Sequence, residues 1–273
     1  MCRAILLVLC VLLAGCVRVE VRPAPAPAPV SDIEATWKNA VVVLPDGDGD
    51  GDGDQVISTT MGSDAMMDWL DQRSGGRLPV VLYMHGCTGI GNFKLFAKIA
   101  AQGFVVVAPD SMARQYRPLQ CNPETKTGGQ NLFVYAFRQA EISFTLQQLQ
   151  RLPWVDRRNI FLVGTSEGGV AAALYRGDEF RARVIAQWTC SGSSLVRGLS
   201  APDDEPVLAV AWADDPWNGR SRTKWKNGNC EDYFGNRPES KQIRLTGRSS
   251  HNVFGDDEVT EKVLVFLKRW ERP

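Results

Sequence analysis

The chain has 273 residues, of which 44% are hydrophobic, so it is long enough to bury one large core. Its 31 basic and 31 acidic residues give a formal charge of zero and are mixed along the whole length. No basic face is therefore expected for a phosphate backbone, and nucleic acid is not an expected partner. No second hydrophobic block is set apart by a linker, which predicts one folded domain over residues 31–273.

The N-terminal segment has the anatomy of an export signal. Arg3 is followed by an apolar run, residues 4–13, that is too short to span a bilayer. The run ends in Leu-Ala-Gly-Cys, which resembles the bacterial lipobox, in which the cysteine thiol takes a diacylglycerol after cleavage. The sequence thus predicts a signal peptide over residues 1–15 and lipidation of Cys16. An ordinary secretory signal with a chance cysteine is the alternative.

The residues after Cys16 indicate how the domain is held in the cell envelope. Val17 stands where an aspartate would retain a lipoprotein in the inner membrane, so its resemblance to sorted lipoproteins favours the outer membrane. Residues 23–29 alternate Pro and Ala, which predicts an extended spacer of about 3 Å per residue within residues 16–30. A periplasm-facing, membrane-anchored protein is expected. A proline-rich ligand for another protein is the alternative reading of the spacer.

From about residue 33 onward, short apolar runs alternate with amphipathic segments. This rhythm predicts an α/β fold with a mostly parallel sheet and helices on both faces. The first two strands are expected to form an edge hairpin. The predicted strands are residues 41–44, 55–59, 78–84, 104–108, 160–163, 184–188, 207–212 and 242–245. The predicted helices are residues 93–101, 134–152, 170–175 and 259–270.

Residues 46–54, between the first two predicted strands, alternate Asp and Gly. Asp-x-Asp-x-Asp-Gly also begins a calcium loop, but Ile57 or Thr59 stands at the twelfth position where calcium loops have a bidentate Glu. We interpret the segment as a solvated hairpin loop and keep calcium as the alternative. With two histidines and no Cys-x-x-Cys pair in the chain, zinc is disfavoured, and neither a metal nor a cofactor is expected.

A serine motif follows the fifth predicted strand. Residues 164–168 read Gly-Thr-Ser-Glu-Gly and lead into a predicted helix, which is the strand–turn–helix context of a nucleophile elbow. Small residues are needed at the second position before and the second position after the serine, because the sharp turn crowds both positions. The motif predicts Ser166 as a nucleophile, with the Glu167 backbone N–H at the helix start stabilising an oxyanion.

A serine hydroxyl needs a base, and His85 and His251 are the two histidines of the chain. His251 follows the last predicted strand and comes after the serine and the acid, in the Ser…Asp…His order of α/β-hydrolases. His251 is therefore the predicted base, and His85 is expected to support a loop. Asp214 and Asp215 are the two candidates for the acid that orients the base.

These motifs together resemble the dienelactone hydrolase family. The resemblance covers most of residues 75–271 and rests on a few segments: Tyr83–Arg114 with its His-Gly-Cys-Thr-Gly loop and Ala-Pro-Asp-Ser strand end, Trp154–Gly169, Asp215-Pro216-Trp217, and Ser250-His251. It implies the α/β-hydrolase fold and an oxyanion loop at His85-Gly86, with the Cys87 N–H as second donor. It also favours Asp215 as the acid, although Trp212 replaces the family's usual glycine.

One departure bears on the substrate. Archetypal dienelactone hydrolases use a cysteine nucleophile, whereas this chain has Ser166, so the dienelactone substrate does not carry over. The expected activity is that of a serine carboxylesterase on a small-molecule ester, with an acyl-enzyme intermediate. A peptidase of the prolyl-oligopeptidase kind and a non-catalytic envelope lipoprotein are the alternatives; an intact triad argues against the second.

Loops at the same edge of the predicted sheet carry candidate substrate-binding residues. Arg114, Tyr116, Arg117 and Trp217 are expected to bind a substrate carboxylate or aromatic group, with solvated or packing roles as the alternative. The folded domain also contains four cysteines, an even number that suits two disulfides in an oxidising compartment. Of the three possible pairings we favour the one that joins neighbouring loops: Cys87–Cys121 with Cys190–Cys230.

Overall fold

The computed structural model describes residues 31–45, 57–73, 75–118, 120–128, 131–193, 196–217 and 228–273. The predicted signal peptide, Cys16, the Pro-Ala spacer and the Asp-Gly repeat lie outside the described residues. Among the helices of the described part, none is long and apolar enough to cross a membrane.

An eight-stranded sheet forms the centre of the molecule. Its strands are β1 Val41–Leu44, β2 Ile57–Thr60, β3 Leu78–Met84, β4 Val105–Ala108, β5 Val155–Thr165, β6 Arg183–Ala186, β7 Val207–Trp212 and β8 Lys241–Leu245. They lie in the order β8-β7-β6-β5-β3-β4-β1-β2. β1 runs opposite to the other strands of the sheet and is antiparallel to both β2 and β4, with Val41 opposite Thr60 in β2, so the predicted opening hairpin is confirmed. The remaining strand pairs are parallel, as predicted.

Helices cover both faces of this sheet. They are α1 Asp32–Lys38, α2 Asp64–Gln72, α3 Phe93–Ala100, α4 Leu132–Leu149, α5 Glu167–Leu174 and α6 Asp257–Trp270. Val81 and Tyr83 of β3 pack on the α3 and α6 side, whereas Val80 and Leu82 pack on the α2, α4 and α5 side. Burial on both faces is why β3 reads as a continuous apolar run rather than an alternating one.

Several element boundaries differ from the sequence-based expectation. Helices α1 and α2 were not predicted, because each is short and α2 buries only Met66 and Trp69; serine N-caps define their starts. Strand β5 begins at residue 155 instead of 160, since the exposed Arg157 and Arg158 interrupt its apolar pattern. Two short antiparallel ribbons were also missed, Cys121–Asn122 with Thr127–Gly128 and Ser191–Ser193 with Val196–Arg197.

A buried arginine holds the far end of α5. Arg183 at the start of β6 is fully buried and donates two hydrogen bonds of 2.6 Å to the Glu205 carboxylate. Its remaining nitrogen donates to the carbonyl oxygens of Ala172 and Tyr175 at 2.7 and 2.9 Å. These carbonyls lack partners within the helix, so Arg183 caps the C-terminus of α5. Burial raises the pKa of Glu205, and Arg183 opposes that shift.

We expect Arg183→Met to lower the free energy of unfolding by about 3–5 kcal/mol, because it leaves Glu205 buried without a partner. Chemical denaturation would measure this loss. Adding Glu205→Leu should recover part of it, since an apolar pair needs no charge compensation. The exposed Arg157→Met serves as the control and should leave the stability nearly unchanged. A loss of less than about 1 kcal/mol for Arg183→Met would contradict this account of the ion pair.

Candidate active site

Ser166 lies at a strained turn between β5 and α5. Its φ of 55° and ψ of −117° fall in a region that non-glycine residues rarely adopt. The turn is held by hydrogen bonds from Ser166 N to Ala186 O at 2.9 Å and from Val170 N to Ser166 O at 3.0 Å. A Cβ on Gly164 would overlap the Gly168 carbonyl, so the chain can close this turn only with glycine there.

The three residues predicted as nucleophile, base and acid come together at the carboxyl edge of the sheet. His251 Nε2 lies 2.9 Å from Ser166 Oγ, and His251 Nδ1 lies 2.6 Å from Asp215 Oδ2. Asp215 is completely buried, and its other oxygen accepts the Trp217 backbone N–H at 2.9 Å. A carboxylate at Nδ1 holds the proton on that nitrogen and leaves Nε2 able to accept the serine proton.

The neighbouring aspartate is placed differently. The Asp214 side chain is exposed, and only its backbone carbonyl reaches this loop, where it accepts the Ser249 hydroxyl at 2.8 Å. Of the two sequence candidates, the structure brings Asp215 and not Asp214 against His251.

His85 supports the loop that faces Ser166. Its Nδ1 lies 2.7 Å from Gly86 O, and its Nε2 accepts the Ser111 backbone N–H at 3.0 Å, which fixes a neutral ring with its proton on Nδ1. Burial and the nearby Arg138 lower the pKa of His85 well below its usual value, which keeps the ring neutral. His85 therefore has the supporting position that the sequence predicts.

A disulfide fixes the same loop from the other side. Cys87 is bonded to Cys121, with the Cα atoms 6.0 Å apart, and a second disulfide joins Cys190 to Cys230. Both predicted pairings are confirmed. Cys87 lines the space beside Ser166, and Glu167 follows the serine as the first residue of α5. The Glu167 N–H has no carbonyl partner within its helix. The two residues predicted to supply oxyanion donors thus flank the serine.

Buried charges pack behind these two donors. Arg138 in α4 is fully buried; it donates to His85 O at 2.9 Å and to Glu141 Oε2 at 2.8 Å. Its Nε lies 3.6 Å from Glu167 Oε1, which also accepts from Arg117. The Arg138 guanidinium therefore contacts both His85, in the loop that carries Cys87, and the side chain of Glu167.

Two clefts meet at Ser166. The first has a volume of about 90 Å³ and is bordered by apolar side chains, among them Tyr135, Val170, Trp188 and Val196. The second has a volume of about 300 Å³ and is lined in part by residues 86–89, Gly91, Asn92 and Asn252. Residues common to both clefts are Cys87, Ser166, Gln187, Trp217 and His251.

Of the four predicted substrate-binding residues, the structure brings Trp217 alone to the clefts. Its ring centroid lies 5.5 Å from that of His251. Arg114 is instead buried in ion pairs with Glu141 and Asp32, each at 2.6 Å. Arg117 is paired with Glu167, and Tyr116 is 74% exposed without lining either cleft. The sequence showed which loops carry these residues but not that buried carboxylates would engage both arginines.

Sequence reasoning missed several residues at the site. Arg138 and Glu141 occupy buried positions of α4 at i and i+3, so two charges on the apolar face of a helix were the available signal. Gln187 and Tyr135 line the first cleft, and nothing in their local sequence distinguishes them.

Comparison with known families decides the relationship. The sequence model described as the dienelactone hydrolase family matches residues 69–210, just over half of the chain. The chain belongs to the dienelactone hydrolase family. This confirms the resemblance carried by the motifs and makes the protein a hydrolase with the α/β-hydrolase fold. No curated protein matches its sequence.

Solved structures share the fold of this family member. A provisionally named dienelactone hydrolase from Klebsiella pneumoniae subsp. pneumoniae MGH 78578 has a TM-score of 0.52 at 15% identity, over 85% of this chain and 98% of that one. A cold-adapted esterase from an Arctic intertidal metagenomic library has a TM-score of 0.51 at 14% identity, over 73% of this chain and 85% of that one. Dipeptidyl peptidase 4 from Porphyromonas gingivalis has a TM-score of 0.50 at 15% identity, over 73% of this chain and 32% of that one. At such identities the likeness concerns the fold alone.

The contact between His251 and Asp215 predicts unequal roles for the two aspartates of this hydrolase. Asp215→Asn should lower kcat by up to roughly ten-thousand-fold, because the amide favours the wrong imidazole tautomer. Asp214→Asn should change kcat less than about threefold, since that side chain is exposed. Steady-state hydrolysis of p-nitrophenyl acetate measures both, with circular dichroism to check folding. A larger loss in Asp214→Asn would transfer the orienting role to Asp214.

Proposed function

We propose that this hydrolase cleaves carboxylic esters through an acyl-enzyme formed on Ser166. The observation that carries the proposal is the continuous chain of hydrogen bonds from Asp215 through His251 to Ser166 Oγ. The chain ends where two clefts meet, so an ester bound across them would present its carbonyl to the serine.

In the proposed reaction, Ser166 Oγ attacks the ester carbonyl carbon while His251 Nε2 takes the hydroxyl proton. The backbone N–H groups of Cys87 and Glu167 stabilise the negative oxygen of the tetrahedral intermediate. The intermediate collapses to the acyl-enzyme, and His251 returns the proton to the departing alcohol. Water then attacks the acyl group, with His251 as base, and releases the acid and free Ser166. The carboxylate of Asp215 stabilises the imidazolium formed in each step.

The clefts favour a small ester. A space of about 90 Å³ bordered by Tyr135 and Trp188 accommodates a short apolar group, and the second cleft of about 300 Å³ accommodates a larger one. We therefore propose a low-molecular-weight carboxylic ester as the substrate, with no cofactor required for the chemistry of the triad.

We also propose that the enzyme acts in the bacterial envelope, tethered through a lipid on Cys16 and facing the periplasm, with the outer membrane as the favoured site. The lipobox-like end of the signal segment supports this location. Two disulfides support it as well, because such bonds persist in oxidising compartments and are rare in a reducing cytosol.

The proposed chemistry is tested by Ser166→Ala, which should reduce hydrolysis of p-nitrophenyl acetate by at least about a thousandfold. The melting temperature should stay nearly unchanged, because Ser166 Oγ bonds only to His251 among the described contacts. A fluorophosphonate probe should label the unaltered enzyme and not the variant. Ser143→Ala, which removes a half-buried hydroxyl from α4, is the matched control.

Two results would contradict this proposal. Full ester hydrolysis by Ser166→Ala would remove the serine from the mechanism. Preferential cleavage of peptide p-nitroanilides by the unaltered enzyme would indicate a peptidase instead of an esterase.

The proposed anchor is tested by Cys16→Ala in the full-length chain. The variant should move from the membrane fraction to the soluble periplasmic fraction, because lipidation supplies the proposed attachment. Globomycin, which blocks lipoprotein signal cleavage, should cause the precursor of the unaltered protein to accumulate, and Cys10→Ala is the matched control. Unchanged membrane association of Cys16→Ala in high salt would disprove anchoring through Cys16.

A further inference from the structure

Gln187 is a strained polar residue beside the serine that the proposed mechanism does not use. It follows β6 with a φ of 61°, in the left-handed region that a glutamine rarely adopts. Its backbone N–H donates to Val210 O at 2.8 Å, which holds this conformation. The residue is half-buried and lines both clefts together with Ser166. Strain of this kind is retained where the surrounding structure fixes it, often at a functional site.

A hydrogen bond from Thr165 orients the Gln187 side chain. The Thr165 hydroxyl donates to Gln187 Oε1. Thr165 and Gln187 both line the second cleft. The amide oxygen of Gln187 therefore acts as the acceptor of this bond.

The carbonyl oxygen of the Gln187 amide is thus occupied, and its NH2 group is left to donate. Within the described residues Gln187 Nε2 makes no hydrogen bond, while the side chain borders both clefts. A polar donor in this position binds an acceptor that lies within a few bonds of the scissile carbonyl. Simple alkyl esters offer no such second acceptor.

We propose that Gln187 is a specificity residue whose NH2 group binds a second acceptor oxygen beside the scissile ester. The favoured substrates are then neutral esters with an ether, hydroxyl or carbonyl oxygen next to the ester group. This inference rests on the proposed esterase function and names the substrate class of the same site. Thr165 acts through Gln187 as a positioning residue.

Matched esters that differ by one CH2 replaced with O test the role of Gln187. p-Nitrophenyl butyrate is compared with p-nitrophenyl methoxyacetate for the acyl side, and butyl acetate with 2-methoxyethyl acetate for the alcohol side. In each pair the ratio of kcat/KM, oxygenated over plain, is measured for the unaltered enzyme and for Gln187→Met. Because the intrinsic reactivity of each ester is the same with both enzymes, it cancels when the two ratios are divided.

We expect Gln187→Met to lower this ratio about three- to tenfold in at least one pair, the value of one neutral hydrogen bond. Gln147→Met, on the exposed face of α4, is the control and should leave the ratio unchanged. A ratio in Gln187→Met within about 1.5-fold of the unaltered enzyme for both pairs would overturn the proposal while leaving ester hydrolysis itself intact. Failure of the unaltered enzyme to hydrolyse any of the four esters would overturn the proposed function as well.

The positioning role is tested through Thr165→Val, which removes the hydroxyl. The variant should lower the same ratio and should not lower it further in the Gln187→Met background, because Thr165 acts through Gln187. A purely structural loss would persist in that background. Thr145→Val, at another buried threonine outside the clefts, is the control. An unchanged ratio in Thr165→Val would disprove the positioning role.

Discussion

Gly168 stands where the first turn of α5 passes against the end of β3. A Cβ at this position would overlap the carbonyl oxygen of Met84, the last residue of that strand. The absence of a side chain lets the helix that carries the Glu167 N–H lie directly beside the loop that carries Cys87. Both proposed oxyanion donors and the serine between them depend on this close approach, because a shift of about 1 Å in such a group costs much of its effect.

The same approach leaves α5 in need of support from its surroundings. The helix has eight residues, two of them glycine, and begins at a serine whose backbone strain costs on the order of 1–3 kcal/mol. Buried arginines hold both of its ends. Arg138 lies against the Glu167 side chain at the N-terminal end, and Arg183 donates to Ala172 O and Tyr175 O at the C-terminal end. Each arginine comes from a different element, α4 or β6, so the position of the helix depends on the whole sheet.

The parts of the site that the sequence predicts are those with a local pattern. The elbow residues Gly164 and Gly168 stand at fixed spacing from Ser166, and His251 follows the last strand in the expected chain order. Buried side chains and ion pairs between residues far apart in sequence leave no such local pattern. Arg117 looks like a free cation in its loop, yet its partner Glu167 is 50 residues away in sequence. Local spacing likewise names Asp214 and Asp215 together; the family resemblance favours Asp215, and the packing of the loop brings that residue against His251.

The ion pairs of Arg114 and Arg117 also bear on the charge of a substrate. Arg114 and Arg117, expected at the rim, are held by buried carboxylates, and the described residues that line the two clefts include Glu167 but no arginine or lysine. A substrate carboxylate that entered these clefts would lose its hydration close to the Glu167 side chain, and none of those residues is a cation that could pair with it. Such a loss of hydration is unfavourable in a partly enclosed site. A neutral ester meets no such penalty, and its second oxygen, where it has one, meets the uncharged amide of Gln187. The arrangement of charges thus agrees with the neutral ester that we propose as the substrate.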